Sequence, residues 1–322
     1  MSLKGPPSFE RFNYLLRPSK QVERKLLVEA MHKLSMGGFR IPEYTYFGLG
    51  SVYYADFILF HKYLYIDKMI CVEGRDIPKR MLFNKPFEFI HLEMKLVGEV
   101  IPTLDREIPY FAWMDYEDYL NREILADVAG LVHVLSPGSV LIITVDADPR
   151  VQEDGISDET CRERRVDHLV ESFSRELGRY HAGDIRRSVI SRAGLPTFFA
   201  SVLRSHLAEE VAKRDKLKFH QLFNFKYADG AQMLSLGGVI GGDLERDRLQ
   251  SSGVYNLSFV TTGDDPIRVS VPPLTIREKQ WLDQRLEAVD SADDLEFELD
   301  QELLDHFLNL YRHYPTYYET LV

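Results

Sequence analysis

A chain of 322 residues that is 45% apolar and 12% aromatic carries enough hydrocarbon for one large domain or two smaller ones. A charged fraction of 28% without any low-complexity tract excludes a disordered chain. The formal charge of -11 argues against a generic nucleic-acid coat, which would be basic, so no broad nucleic-acid binding is expected.

The opening Met-Ser-Leu-Lys-Gly-Pro-Pro lacks the apolar core of a signal peptide, and no run of 18 apolar residues suggests a membrane helix. Ser19 is placed to cap a helix over 19–34. Val22, Leu26, Leu27, Ala30 and Leu34 recur at helical spacing, and Gly37-Gly38 is the stop. Arg17, Lys20, Arg24 and Lys25 read as a solvated face of that helix, with a local basic groove as the alternative. Strand formers at 44–47 lead into Gly48-Leu49-Gly50-Ser51 and a helix over 54–64. The apolar run 68–73 is a buried strand ending in Glu73. A short helix over 76–83, a strand over 89–94 and a strand over 110–114 follow, the last ending at Asp115-Tyr116-Glu117. A helix over 121–135 runs to Pro137-Gly138, and the β-branched stretch 139–145 is the clearest strand. This alternation predicts a parallel sheet covered on both faces.

The texture then changes. Residues 158–214 read as helices broken at Gly183 and at Gly194-Leu195-Pro196, more helix than one βα unit needs. Segments 217–227 and 232–240 flank Asp229-Gly230 and form a hairpin signature. A strand pair over 255–260 and 267–271 is expected, then helices near 275–290 and 300–313 joined by an acidic connection over 290–298. The aromatic stretch 311–318 reads as a packed lid or interface.

Gly48 and Gly50 stand at a strand-to-helix junction, where a missing β-carbon allows a sharp turn and close ligand approach, and the helix start offers free N–H groups. Ordinary tight turns give the same pair. Glu73 follows Gly50 by about 20 residues, the separation at which an acid meets ribose hydroxyls in dinucleotide-binding folds. Asp115 ends the fourth strand at the same edge and is suited to orient a ligand or accept a proton, while Glu117 serves equally as a helix-start acid. Asp146 and Asp148 follow the fifth strand; capping and solvation are their default role, and a metal is not expected. Cys71 and Cys161 form no CxxC, which excludes a zinc site of that kind and fits a reducing cytoplasm. No histidine pair has ligand spacing.

In this order the parts resemble the class I S-adenosylmethionine-dependent methyltransferases. Gly48 and Gly50 match the first motif, Glu73 the ribose-binding acid, Asp115 the fourth-strand acid, and 135–144 the turn commonly read as LxPGGxL. More narrowly, RPSKQVERK, YFGLGSVYYADF, MDYE and YADGAQM are similar to bacterial O-methyltransferase-like proteins. The chain departs from the pattern at Tyr46, where an acid is usual, at Val52, where a third glycine is usual, and at Ser139 in the fifth-strand turn.

The resemblance implies an α/β fold: a Rossmann-like methyltransferase sheet with helices on both faces, an antiparallel terminal hairpin and a helical insert. It divides the chain into an N-terminal helical cover (1–39), an S-adenosylmethionine-binding core (40–150), a helical insert (151–215) and the rest of the sheet with C-terminal helices (216–322). It implies S-adenosylmethionine as cofactor, bound by Gly48, Gly50, Ser51, Asp56, Glu73, His91 and Glu93. Asp115, Tyr116 and Glu117 are the candidate catalytic residues, acting on an unidentified methyl acceptor through an oxygen. Two rival readings stand beside it. One is a non-catalytic or RNA-binding protein on a degenerate methyltransferase fold, motivated by the three departures. The other is a nicotinamide-dependent oxidoreductase, which would want glycine where Tyr53 stands.

Overall fold

The computed structural model describes residues 17–150, 159–181 and 183–315. The first residues of the expected N-terminal cover, the start of the expected insert at 151–158 and the end of the aromatic 311–318 stretch lie outside them. Eight strands form one sheet: β1 (Thr45–Leu49), β2 (Lys68–Val72), β3 (Ile90–Glu93), β4 (Tyr110–Tyr119), β5 (Val140–Asp146), β6 (Lys218–Ala228), β7 (Gln232–Gly241) and β8 (Ile267–Val269). Their order is β3-β2-β1-β4-β5-β7-β6-β8. Strands β1 to β5 are mutually parallel, β7 inserts antiparallel between β5 and β6, and β8 pairs parallel with β6.

Period-two alternation sends neighbouring side chains to opposite faces. Tyr46, Phe111, Trp113, Val140 and Ile142 enter one core, and Phe47, Ala112, Met114, Leu141 and Ile143 enter the other. All seven residues of β5 are buried, as a central strand covered on both sides requires. The first face is covered by α1 (Pro18–Met36), α2 (Ala55–Leu64) and, nearer the hairpin, by the helix Asp243–Ser252. The second is covered by Arg122–Val134, Glu159–Leu177 and Gly194–Ala212. In chain order these helices, with the short Pro78–Asn84 and Val97–Val100, make α3 to α8: Pro78–Asn84 is α3, Val97–Val100 α4, Arg122–Val134 α5, Glu159–Leu177 α6, Gly194–Ala212 α7 and Asp243–Ser252 α8. A satellite cluster of Leu282, Val289, Leu304 and Phe307 holds α9 (Ile276–Asp283) and α10 (Gln301–Leu310).

Several expectations need correction. Ser19 does not cap α1. Arg17 is the N-cap and Pro18 occupies the first turn, where its missing N–H costs nothing. The cap comes from the hairpin instead: the Asp229 carboxylate accepts the backbone N–H of Ser19 at 3.0 Å and of Lys20 at 2.8 Å. Residues 255–260 form no strand, and β8 joins β6 rather than a partner of its own. Gly194-Leu195-Pro196 starts α7 rather than breaking it, because proline suits a first turn. Strand β4 runs on to Tyr119, so Asp115-Tyr116-Glu117 lies within a strand, just before a register shift against β5.

The Asp229 cap predicts a specific loss. Asp229→Ala strands two backbone donors and removes a negative charge from a helix start, which should cost about 1–2 kcal/mol. Urea unfolding of the full chain is expected to show that loss, and Asp229→Asn, which keeps one acceptor oxygen but sets a donor against the second N–H, is expected to recover only part of it.

Candidate functional site: a cleft at the carboxyl edge of the sheet

The loop after β1 is shaped by close packing. Gly50 N–H donates to the Val72 carbonyl at 2.6 Å, tying the loop to β2. A β-carbon on Gly50 would meet Cys71 Sγ and Met81 Cε at 3.0 Å and Glu73 Cβ at 3.1 Å. Gly48 has a different reason to be glycine. The Tyr46 side chain folds across it, and a β-carbon there would lie 2.6 Å from Tyr46 Oη. The unusual Tyr46 and the glycine after it are therefore one packing solution, with the Tyr46 ring edge-on to Phe57, Phe60 and Phe111.

A cleft of about 480 Å3 opens beyond this loop. It is lined by Gly50, Ser51 and Asp56, by Glu73, Gly74 and Arg75, by 95–99 with Ile124 and Asp127, and by Asp115, Tyr116 and Glu117 of β4. Gly50, Ser51, Asp56, Glu73, Asp115, Tyr116 and Glu117 are thus brought together. Gly48, His91 and Glu93 are not among the lining residues. His91 Nε2 and Lys95 Nζ each lie 2.8 Å from the Glu93 carboxylate, and these ion pairs hold Glu93 below the usual carboxylate range.

Glu73 sits just past β2 and is only 5% exposed. Its carboxylate accepts the Arg75 backbone N–H at 2.9 Å. Burial pushes its carboxyl above the usual range, against the lowering effect of Arg75. Glu73 is thus a buried acid in the cleft wall whose ionised form the fold itself disfavours. Tyr116 Oη donates to Asp127 at 2.9 Å; burial and that carboxylate hold the phenol protonated well above its ordinary range. Glu117 is half-exposed and pairs with Arg75 at 3.1 Å.

The largest departure from expectation is on α1. Lys20 and Arg24 are neither solvated nor part of a basic groove; both are fully buried. Lys20 Nζ lies 3.0 Å from Asp115, 3.0 Å from Glu23 and donates to Tyr227 Oη at 3.0 Å. It also stands 4.0 Å above the Trp113 ring, a cation–π contact. Arg24 pairs with Asp56. Trp113 Nε1 donates to Thr144 Oγ1 at 2.9 Å, and Thr144 shares a 2.7 Å hydrogen bond with Ser235. The four sequence stretches that carried the resemblance therefore meet in one buried polar cluster behind the cleft: Lys20 and Arg24 from the first, Asp56 from the second, Asp115 from the third, and Tyr227 and Asp229 from the fourth.

At the end of β5, Asp146 accepts the Asp148 N–H at 2.8 Å and pairs with Arg150; burial pushes its carboxyl up to about 6. Asp148 accepts the backbone N–H of Arg150 at 2.9 Å and of Gln232 at 3.1 Å. Both acids are engaged as structural acceptors. Among the described residues, no group of three His, Cys, Asp or Glu is placed to hold a metal, and no helix is long and apolar enough to cross a membrane.

A parallel five-strand core, an antiparallel strand inserted beside β5, and a glycine loop facing a buried acid define the Rossmann-like methyltransferase class, whose methyl donor is S-adenosylmethionine. The chain belongs to the family described as "Putative O-methyltransferase", whose model matches residues 12–322. No curated protein matches it. Among solved structures it is similar to Trm1 from Pyrococcus horikoshii in complex with S-adenosyl-L-methionine, at 11% identity and a TM-score of 0.45, covering 88% of this chain and 74% of that one. It is also similar to the O-methyltransferase TomG from Streptomyces achromogenes, at 15% identity and a TM-score of 0.34, over 65% of this chain and 79% of that one. A 16S rRNA (adenine(1408)-N(1))-methyltransferase from Catenulisporales acidiphilia gives 15% identity and a TM-score of 0.35, over 64% and 89%. The family match, not these distant likenesses, carries the assignment.

Proposed function

We propose that the chain transfers a methyl group from S-adenosylmethionine to an oxygen of its acceptor, with Glu73 as the principal cofactor-binding acid. The observation that carries this reading is Glu73 itself: a buried carboxylate beside Gly50, at the mouth between β1 and β2, facing a cleft. The cleft volume lies within the range of small-molecule sites, roughly 300–1,000 Å3, at about 480 Å3. Its lining suits the cofactor's parts. Glu73 offers a charged acceptor for a hydroxyl pair, Leu96, Val97 and Ile124 offer apolar surface for a planar base, and Asp56 and Asp115 offer negative charge. When bound, the cofactor supplies an electrophilic methyl group on a positively charged sulfur.

The chain's own residues do the rest. Gly50, packed against Cys71, Met81 and Glu73, holds the loop close to β2, and Ser51 follows it into the cleft wall. Asp115, fixed by Lys20 through Oδ2, is the candidate to take the acceptor's proton. Tyr116 and Glu117 are already committed to Asp127 and Arg75, so their part is to shape the cleft and orient the acceptor. Of the eight acids lining the cleft, Asp118 and Glu123 lie beside Glu117 and Asn121, against two lining cations, Arg75 and Lys95. That balance favours a neutral or cationic acceptor over a polyanion such as RNA.

Titration calorimetry of the full chain with S-adenosylmethionine and S-adenosylhomocysteine tests the reading. Saturable binding of both at one site per chain is expected. Absence of heat with either, alongside quenching of reduced nicotinamide, would move the assignment to the oxidoreductase class.

A further inference from the structure

Glu23 is fully buried on α1, and neither carboxylate oxygen receives an aligned hydrogen bond among the described residues. Lys20 is 3.0 Å away and shared with Asp115 and Tyr227. The groups acting on Glu23 itself are Lys20 on α1, Asp115 on β4 and the Ser235 hydroxyl on β7. Tyr227 on β6 joins the cluster through Lys20, and Tyr46 on β1 lies under the influence of Asp115 and of the Arg24–Asp56 pair. Ionised, the three acids Glu23, Asp56 and Asp115 outnumber the two cations Lys20 and Arg24 by one among these described residues. A buried excess charge is costly unless something cationic answers it. Two of the three acids, Asp56 and Asp115, line the cleft, so the answering cation has a place to bind.

We infer that Glu23, by sharing the Lys20 ammonium with Asp115, leaves part of the Asp115 charge to favour a cationic ligand, so that this cleft discriminates the sulfonium form of the cofactor from its neutral thioether product. The inference rests on the cofactor reading above. Methyl transfer breaks a sulfur–carbon bond and forms an oxygen–carbon bond, the acceptor proton passes to a base, and the cofactor loses its positive charge. The excess negative charge of the buried cluster, reaching the cleft through Asp56 and Asp115, favours the cationic reactant over the neutral product. In keeping with this, burial pushes the Glu23 carboxyl up and Asp115 pushes it further, while Lys20 and Ser235 act the other way. A proton is the natural substitute when no cation is present.

The test is calorimetry on the full chain and on Glu23→Gln, with S-adenosylmethionine and S-adenosylhomocysteine as probes at pH 8. In Glu23→Gln the Lys20 charge falls wholly on Asp115. Affinity for S-adenosylmethionine is expected to drop about tenfold while that for S-adenosylhomocysteine changes less than twofold, a shift worth one pKa unit of charge selectivity. Equal losses for both probes, or no loss, overturn the inference and leave Glu23 a packing residue. Should the variant not fold, the wild-type chain suffices. Titrations in two buffers of different ionisation heat are expected to show more protons released on binding the sulfonium than the thioether, and equal counts overturn the inference. A wild-type chain that binds neither probe fails the cofactor reading itself, which is a different result from binding both without selectivity.

Discussion

Lys20→Met is expected to cost about 3–5 kcal/mol of folding stability, the usual consequence of removing one partner from a buried charge cluster. The ammonium answers Asp115 and Glu23, receives the Tyr227 hydroxyl as hydrogen-bond acceptor and lies over Trp113, so its loss leaves two carboxylates facing each other in the interior. The effect has a pH signature. Glu23 already has its folded-state carboxyl raised by burial, and Lys20 is the first group that opposes this. An acid whose folded pKa is raised costs nothing below its unfolded value, penalises the fold increasingly as pH rises from the unfolded to the folded value, and carries the full penalty above it. Removing Lys20 raises it further. The gap between wild type and variant should therefore be widest at neutral and alkaline pH and narrow as pH falls toward the ordinary carboxylate range. Urea midpoints at pH 5 and pH 8 measure it. A gap under 1 kcal/mol, or one independent of pH, would show that Lys20 is not what neutralises this cluster.

Most of the sheet was legible because its strands are short apolar runs separated by helices with clean periodicity. The run 139–145, read as a strand from its β-branched residues alone, is β5 within one residue at either end. The hairpin was legible through Asp229-Gly230, since that pair suits a tight turn. What was not legible was tertiary. Whether 255–260 pairs as a strand depends on a neighbour, and β8 alone claims the free edge of β6. The extension of β4 to Tyr119 depends on Asp146 lying opposite it.

The site divides in the same way. The place of Glu73 and Gly50 at the cleft was readable because it follows from chain order at a sheet edge. Gly48 does not line the cleft; the Tyr46 phenol packs across it, a contact that spacing along the chain does not disclose. His91 and Glu93 share one face of β3 and pair with each other, and neither lines the cleft; the residues following β3 do. The buried charges of α1 did have a signal. Lys20, Glu23 or Arg24, Leu27, Met31 and Leu34 follow one another at three- and four-residue steps, so the charges continue the apolar stripe instead of opposing it. A helix face that turns from apolar to charged along one line points that end at a polar interior, and here the interior is the back of the cleft.

Glu73→Gln is expected to separate binding from stability, and in opposite directions. The amide keeps the shape of the side chain and an oxygen to accept the Arg75 N–H. It loses the charge, and one of its two polar atoms becomes a donor. A hydroxyl pair facing it forfeits a charge-assisted hydrogen bond, worth about 1.5–3 kcal/mol, and the neighbouring one is left mismatched. Affinity for S-adenosylhomocysteine should fall roughly 100-fold, as about 2.7 kcal/mol requires. Stability should move the other way. Burial raises the Glu73 carboxyl above its unfolded value, so the ionised side chain opposes folding at every pH above that range, and removing the charge relieves the chain there. Calorimetry and urea unfolding at pH 8, run on the same preparation, check both. A variant that binds normally would show that the acid after β2 holds nothing. A variant that both binds poorly and unfolds early would show a structural acid, kept for the Arg75 turn and not for a ligand. A loss of binding with a gain in stability is the outcome that only a functional carboxylate produces, because a fold has no other reason to bury a charge that weakens it.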